Sequence, residues 1–387
     1  MKLSLFFDGY KPYLEFKDPG QIILGLLEVG INTDLLALTK TDLVNYVPPF
    51  SIVENNWNQF NSKQFWLEND SDIILAYTWL SASYTPLIEK IKSIGKKVLI
   101  KSDSDGRIGY PLPPSYLRAP IFEKAALKNL LRHVWWRMPF KSLHSKRAAQ
   151  KIRQIELSDG VIIESPDALS NLNYFLTKWG RRDLIKKTHF IPNPVTPEFI
   201  NSKIDKKENI VVSVGRWDDL APKNTKMMVE VVTEFLKNRY DYTSTIIGTG
   251  EEKVESLIEG VPKNIRDRIK ITGFVEHDKI KDFLLNAKML FIPSRWESFS
   301  VAACEALCMG CSIVGTPIES LRYLSMQGFS GTIASTFKKE AILAALIQDS
   351  MKWDYDCYQP DEIADFWRGK VNRKSVAEQI ANLACTL

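Results

Sequence analysis

The chain has 387 residues, 45% of them hydrophobic and 25% charged, and 51 basic against 46 acidic side chains leave a net charge of +5. This excludes a disordered polypeptide, and the length exceeds one core and suits two domains of about 150 to 200 residues each. No run approaches the roughly 18 to 20 apolar residues of a membrane span, and five cysteines without secretory context fit no disulfide framework, so a protein that is cytoplasmic, either free or peripheral on the inner face of the membrane, is expected.

The opening MKLSLFFDGYKP has an apolar stretch too short for a signal segment, broken by Asp8 and Gly9, and reads as a first strand. KLSLFF, TDLLALT, SDIILAYTWL, KKVLIKS, GVIIES and THFIPN are strand candidates, with helices near 18–29, 82–94, 121–155 and 166–179. Alternation of this kind predicts α/β architecture, parallel sheets with helices on both faces. Asp103-Ser104-Asp105 follows the fourth of these strands. An Asp-x-Asp there can hold a divalent cation or orient an acceptor hydroxyl, with Lys101 and Arg107 nearby, while Asp105-Gly106 is equally a turn signal.

From Arg118 to Arg153 a run of basic residues faces a single acid, Glu123, and is interleaved with Trp135, Trp136, Met138 and Phe140. Segment 118–153 reads as a surface for an anionic membrane, as a helix with a solvated basic face, or as a patch for an anionic polysaccharide. No recognition motif accompanies the charge, and nucleic acid is not an expected partner. Next, IPNPVTPEFINSKIDKKEN has the proline, asparagine and charge of a linker. The expected division is a first domain over 1–195, a linker over 196–208 and a second domain over 209–365, followed by a mostly helical end at 366–387.

The second half repeats the strand–helix scheme. NIVVSVGRWDDLAPKNTKMMVEVV is a strand ending in Gly215 and Arg216, a loop carrying Lys223, and a helix from near Thr225. STIIGTGEE is a strand running into a Gly248-Thr249-Gly250 turn, whose glycines either let backbone approach a ligand or merely turn the chain. A further strand ends at Phe274 and Val275. MLFIPS then reads as a buried strand, Trp296 to Phe299 as the crest of a loop, and Ser300 to Met309 as a helix.

Glu297 and Glu305 therefore stand eight positions apart, one on the loop and one in the helix. Amides around Ser298, Phe299 and Ser300 open that helix and form a ready site for a diphosphate, because N-terminal amides lack intrahelical partners and the helix dipole favours anions. Glu305, about a turn and a half deeper, is placed to accept hydrogen bonds from a ribose diol, and Glu297 to meet sugar hydroxyls. The plainer reading is a loop acid and a solvated helix acid. Arg216 and Lys223 supply cations with several donors, or are surface charges. Cys304 and Cys308 share a helix face and Cys311 begins the next strand, without a fourth ligand near in sequence, so core packing is expected. His133, His144, His189 and His277 have no ligand spacing.

Taken in this order, the motifs resemble those of the retaining glycosyltransferases of family 4, over roughly residues 209–325. The resemblance implies the GT-B fold, two Rossmann-like domains facing each other across a cleft, with the last helix returning to the first domain. It implies a nucleotide-sugar donor held by the second domain. Arg216 and Lys223 then match the basic pair that neutralises the donor diphosphate, Gly215, Gly248 and Gly250 lie along the donor site, and Phe274 and Val275 fall where backbone and an apolar side chain hold the nucleobase.

Transfer to a hydroxyl of a glycan or lipid-linked glycan, as in polysaccharide or glycoconjugate assembly, would retain configuration without a protein nucleophile, a cofactor or a metal. Asp103 and Asp105 would lie on the acceptor side. Two departures are visible: Ser298 and Ser300 stand where the family often has glycine, and Trp296 either roofs the sugar or packs into the core. Alternatives are a nucleotide-sugar epimerase or hydrolase of the same fold, and a non-catalytic sugar-nucleotide or membrane-binding partner of another transferase.

Overall fold

The computed structural model describes residues 1–41, 46–108, 141–218 and 220–387. The described residues fall into two compact units, the chain crossing from one to the other between Thr196 and Pro197 and back between Gly369 and Lys370. Each unit is built on one parallel sheet.

In the first unit the sheet comprises β1 (Lys2–Phe7), β2 (Asn32–Ala37), β3 (Ser51–Glu54), β4 (Ile73–Tyr77), β5 (Lys97–Ser102), β6 (Gly160–Ile163) and β7 (Thr188–Phe190), ordered β3-β2-β1-β4-β5-β6-β7. Helices α1 (Asp18–Glu28), α2 (Tyr84–Lys92), α3 (Lys141–Leu157) and α4 (Pro166–Lys178) cover it. Side chains alternate across a strand, and the two cores follow: Leu3, Leu5, Leu35 and Leu75 face α1, whereas Phe6, Leu36, Ile74 and Ala76 face α2 and α4. Burial on both faces explains why these strands are near-continuous apolar runs. Local signals set the helix ends: Ser165 caps α4 by accepting from Ala168 N, and Gly180 at φ +73 ends it.

The second unit holds β8 (Glu208–Val214), β9 (Thr243–Ile247), β10 (Ile269–Gly273), β11 (Ala287–Ile292), β12 (Ser312–Gly315) and β13 (Gly331–Ile333), ordered β10-β9-β8-β11-β12-β13. Its helices include α5 (Pro197–Ile200), α6 (Thr225–Asn238), α7 (Glu251–Ile258), α8 (His277–Asn286), α9 (Val301–Cys308) and α10 (Lys339–Asp354). Beyond the second crossing, α11 (Arg373–Cys385) lies on α1, where Gly25 is so close to the Arg373 carbonyl that a Cβ would come within 2.5 Å of it. Val376, Ala377 and Ile380 complete that core, and Arg373 pairs with Glu28.

Several expected elements are shorter than the apolar runs suggested. The strand in SDIILAYTWL stops at Tyr77, and Leu80 already has a φ of +55. Residues 121–140 of the expected third helix, and with them most of the basic segment 118–153, lie outside the described residues. Of the rest of that segment, Arg153 on α3 pairs with Glu89 and Glu156. No described helix is long and apolar enough to cross a membrane.

In both sheets the order reverses beside a central strand, between β1 and β4 and between β8 and β11. Open parallel sheets bind ligands at the carboxyl ends of strands at such a switch point.

Candidate functional site

The switch point of the second sheet carries most of the motifs singled out in the sequence. Gly215 and Arg216 follow β8, and the loop from Pro293 to Ser300 follows its neighbour β11. Lys223 sits on a single helical turn, Leu220–Lys223, rather than in open loop as expected. That turn is tied to the β11 loop by Arg295 N donating to Pro222 O (2.8 Å) and Asn224 Nδ2 donating to Pro293 O (3.1 Å). Asn224, buried and left-handed at φ +57, links the turn to α6. Together these bonds bring Lys223 Nζ to 2.7 Å from Glu297 Oε1, which also accepts from Ser294 Oγ at 2.7 Å. Asn224 and Ser294 were not singled out in the sequence.

Helix α9 opens at Val301, one residue later than expected, and its backbone bonds begin with Ala303 and Cys304 donating to Ser300 O. The amides ahead of these, of Val301 and Ala302, have no intrahelical partner, and the positive end of the helix dipole lies at the loop that carries Glu297. Ser300, at φ +70, occupies the left-handed conformation in which glycine carries no Cβ penalty. The Phe299 side chain is buried, whereas Ser298 and Trp296 are half-buried and Trp296 is no core residue. The three clustered cysteines are buried and free, and burial raises the Cys304 and Cys308 thiols well above their usual range.

Arg216 is exposed at the end of the β8 loop. Behind it the two turn glycines make a close approach of chain to chain. A Cβ on Gly248 (φ +128) would stand 1.7 Å from the Gly215 carbonyl oxygen, and one on Gly250 (φ +87) 2.4 Å from Asp218 N. Trp217 N donates to Thr249 O at 2.7 Å, and the buried Trp217 indole donates to Ile247 O at 3.0 Å. Gly248 and Gly250 thus seat the loop that carries Arg216.

Farther along the same edge, Phe274 is 67% exposed beyond β10 and Val275 half-buried, so strand-end packing does not account for Phe274. Glu305, on α9, is 4% exposed, and its Oε1 lies 2.8 Å from Nε2 of His277, the first residue of α8. His277 had been set aside for want of metal-ligand spacing.

The first unit gathers a different set of groups at its own carboxyl edge. Lys101 Nζ, on β5, donates to Glu164 Oε2 at 2.9 Å just beyond β6, both side chains fully buried. Glu164 Oε1 and Asp103 Oδ1 are buried without a hydrogen-bond partner among the described residues. Burial, against the pull of Lys101 and helped by the charge of Asp103, pushes the Glu164 carboxyl well above the usual carboxylate range. Asp105 points elsewhere, its Oδ1 accepting from Arg107 N at 3.1 Å in a side-chain turn. The described residues contain no group of three or more metal-ligating side chains.

Asp18, at the start of α1, accepts from the Tyr77 hydroxyl and is pushed up to about 6 by burial first and then by the charge of Asp103. Between the unfolded value near 4 and this folded value, the native state holds a proton that the unfolded chain releases. Its contribution is complete below the unfolded value and lost as pH rises through 6, a loss of up to about 3 kcal/mol. Asp18→Asn, which keeps an oxygen for Tyr77, is therefore expected to raise the melting temperature at pH 7.5 and to lose most of that advantage at pH 4. Thermal melts at the two pH values check this, and an advantage independent of pH would remove the assignment.

Residues 195–352, which contain the whole of the second-unit site, match the family described as glycosyl transferases group 1. Alpha-D-kanosaminyltransferase of Streptomyces kanamyceticus is 28% identical over 131 residues, 33% of this chain and 33% of that protein. The chain spans between 29% and 52% of the length of the curated relatives it matches. Among solved structures, Anabaena Alr3699/HepE in complex with UDP and glucose aligns over 100% of both chains with a TM-score of 0.68 and 12% identity. The lipopolysaccharide outer core galactosyltransferase WaaB, in its apo form, aligns over 100% of this chain and 99% of its own, with a TM-score of 0.68 and 14% identity. The two parallel-sheet units therefore have the GT-B fold of these glycosyltransferases.

Proposed function

We propose that the chain is a retaining glycosyltransferase that moves a sugar from a nucleoside-diphosphate donor to a hydroxyl of a glycan or lipid-linked glycan. The observation that carries this reading is the meeting of Lys223 and Glu297 at 2.7 Å, beside the opening of α9, at the switch point of the second sheet. A cation, a carboxylate and helix-end amides are what a sugar diphosphate needs: positive partners for the phosphates and an acceptor for sugar hydroxyls. HepE, which shares the fold, was solved with UDP and glucose.

In the proposed reaction the bond from the anomeric carbon to the diphosphate breaks first, giving oxocarbenium character at the sugar and charge on the leaving group. Arg216, Lys223 and the α9 amides stabilise that charge as it grows, so their effect is largest in the transition state. Glu297 orients the donor sugar, Glu305 accepts from the ribose, and the exposed Phe274 with Val275 holds the base. The acceptor hydroxyl bonds to the anomeric carbon on the face that the diphosphate leaves, and its proton passes to a phosphate oxygen. Asp103, with its carboxyl partner Glu164, is assigned to the acceptor side, and Asp105 to the turn beside it. The side chains of the donor site supply the positive charge a divalent cation otherwise would, so transfer is assigned as metal-independent.

The test is a thermal-shift screen of the full chain against nucleotide sugars, with and without EDTA, repeated for Glu305→Ala and Arg216→Ala. Stabilisation by one nucleotide class that survives EDTA and disappears in both variants supports the donor site and names the base. A response that needs a divalent cation and ignores both residues, or no response at all, sinks it. Release of free or epimerised sugar without acceptor would instead mark the hydrolase or epimerase alternative.

A further inference from the structure

Glu305 is almost fully buried, and a carboxylate removed from water needs donors. Among the described residues, the side chain that supplies one is His277, with Nε2 at 2.8 Å from Oε1. The imidazole is itself held from behind: the ring of Phe199, fully buried on α5, meets it edge-on with centroids 5.4 Å apart. His277 also opens α8 two residues after Val275, so the segment assigned to the base and the acid assigned to the ribose are joined through this one side chain.

We propose that His277 is a positioning residue of the nucleotide site, holding one oxygen of Glu305 so that the other is presented to the ribose diol; this rests on the donor-site reading above. Engagement of Oε1 removes the freedom of the carboxylate to rotate, and a pre-oriented acceptor loses less entropy on binding a hydroxyl. His277 touches neither the transferred sugar nor the phosphates in this scheme. Its removal consequently weakens ground-state and transition-state binding alike, raising KM with little change in kcat.

The experiment measures binding of UDP, GDP and their 2′-deoxy counterparts to the full chain by calorimetry, for wild type, Glu305→Ala, His277→Ala, His277→Asn and His277→Gln. For whichever base binds, wild type is expected to favour the ribonucleotide over its 2′-deoxy form by about tenfold, in line with one hydrogen bond to a charged acceptor. Glu305→Ala, His277→Ala and His277→Asn, whose amide is too short to reach, should bring that preference to within about twofold. His277→Gln, with an N–H at comparable reach, should restore most of it, which separates positioning from a loss of packing against Phe199.

Should wild type and Glu305→Ala behave as stated while the histidine variants keep the full preference, the inference is overturned and the donor site stands. An equal loss for ribonucleotide and 2′-deoxynucleotide would likewise overturn it, reducing His277 to a structural residue. If neither UDP nor GDP binds wild type and the screen above finds no other nucleotide that does, the donor-site reading fails and takes the inference with it.

Discussion

Lys223→Ala is expected to lower kcat by about 10²- to 10³-fold, the range observed when one preorganised group facing developing charge is removed, while the fold survives. Lys223 and Glu297 are only partly buried, with side-chain exposures of 22% and 16%. Truncating the lysine leaves Glu297 with the Ser294 hydroxyl and with water, so the stability loss stays near that of a surface ion pair, about 1 kcal/mol or less. The catalytic loss is larger because charge on the departing diphosphate develops after the ground state, where a fixed ammonium needs no reorganisation.

Lys223→Arg distinguishes charge from position. It keeps the cation but replaces a compact ammonium with a longer planar fork that does not fit the 2.7 Å contact with Glu297. An intermediate rate is expected, about tenfold below wild type, a loss of about 1.4 kcal/mol in the barrier. Steady-state turnover with the donor found by the screen checks both variants. A loss in kcat under threefold for Lys223→Ala would make the lysine a structural partner of Glu297 and shift the leaving-group role to Arg216 and the α9 amides.

What the sequence made legible, and what it did not, divides along a physical line. Strands buried on both faces announce themselves as apolar runs, which is why β1, β4, β5 and β11 were readable. β3, whose residues Ser51 and Glu54 are exposed at the sheet edge, has no such run and was missed. Glu297, Glu305, Arg216 and Lys223 were visible because they lie at fixed offsets from strand ends and helix starts. Their partners were not.

His277 is a single polar residue that acquires meaning only when a parallel crossover sets one strand beside another, whereas Ser294 bonds Glu297 within the same loop, three residues on. The bond between His277 and Glu305 joins residues 28 apart in sequence, and that between Lys223 and Glu297 residues 74 apart. A usable signal existed for Asn224, an asparagine directly before a helical pattern, and for His277, two residues past the segment assigned to the base. Metal-ligand spacing, which His277 lacks, is no guide to a histidine that bonds a buried carboxylate. The role of the Gly248-Thr249-Gly250 turn was legible only as a pair of alternatives, since the sequence does not say what lies against a glycine.

The structure answers that question for Gly248, and a second large effect comes from it. Gly248→Ala is expected to destabilise the second unit by about 2–5 kcal/mol, the joint result of two independent penalties. A φ of +128 lies in the region that L-residues rarely adopt, which costs on the order of 1–2 kcal/mol for alanine. The new Cβ would also stand 1.7 Å from the Gly215 carbonyl oxygen, a separation no packing allows, so the backbone must move, adding a further cost of about 1–3 kcal/mol.

Gly328→Ala in the same unit is the matched control. Its φ of +105 carries the conformational penalty, but its nearest neighbour within 4 Å is the flexible Lys352 Nζ at 3.5 Å. Denaturant unfolding should therefore place Gly248→Ala about 1–3 kcal/mol below Gly328→Ala, the size of the steric part alone. Because the atom displaced belongs to Gly215, next to Arg216, the variant is also expected to lose nucleotide-dependent stabilisation at temperatures where it remains folded, while Gly328→Ala keeps it. Equal destabilisation of the two would mean that the β8 and β9 loops yield freely, and a loop that yields freely cannot hold Arg216 against a diphosphate.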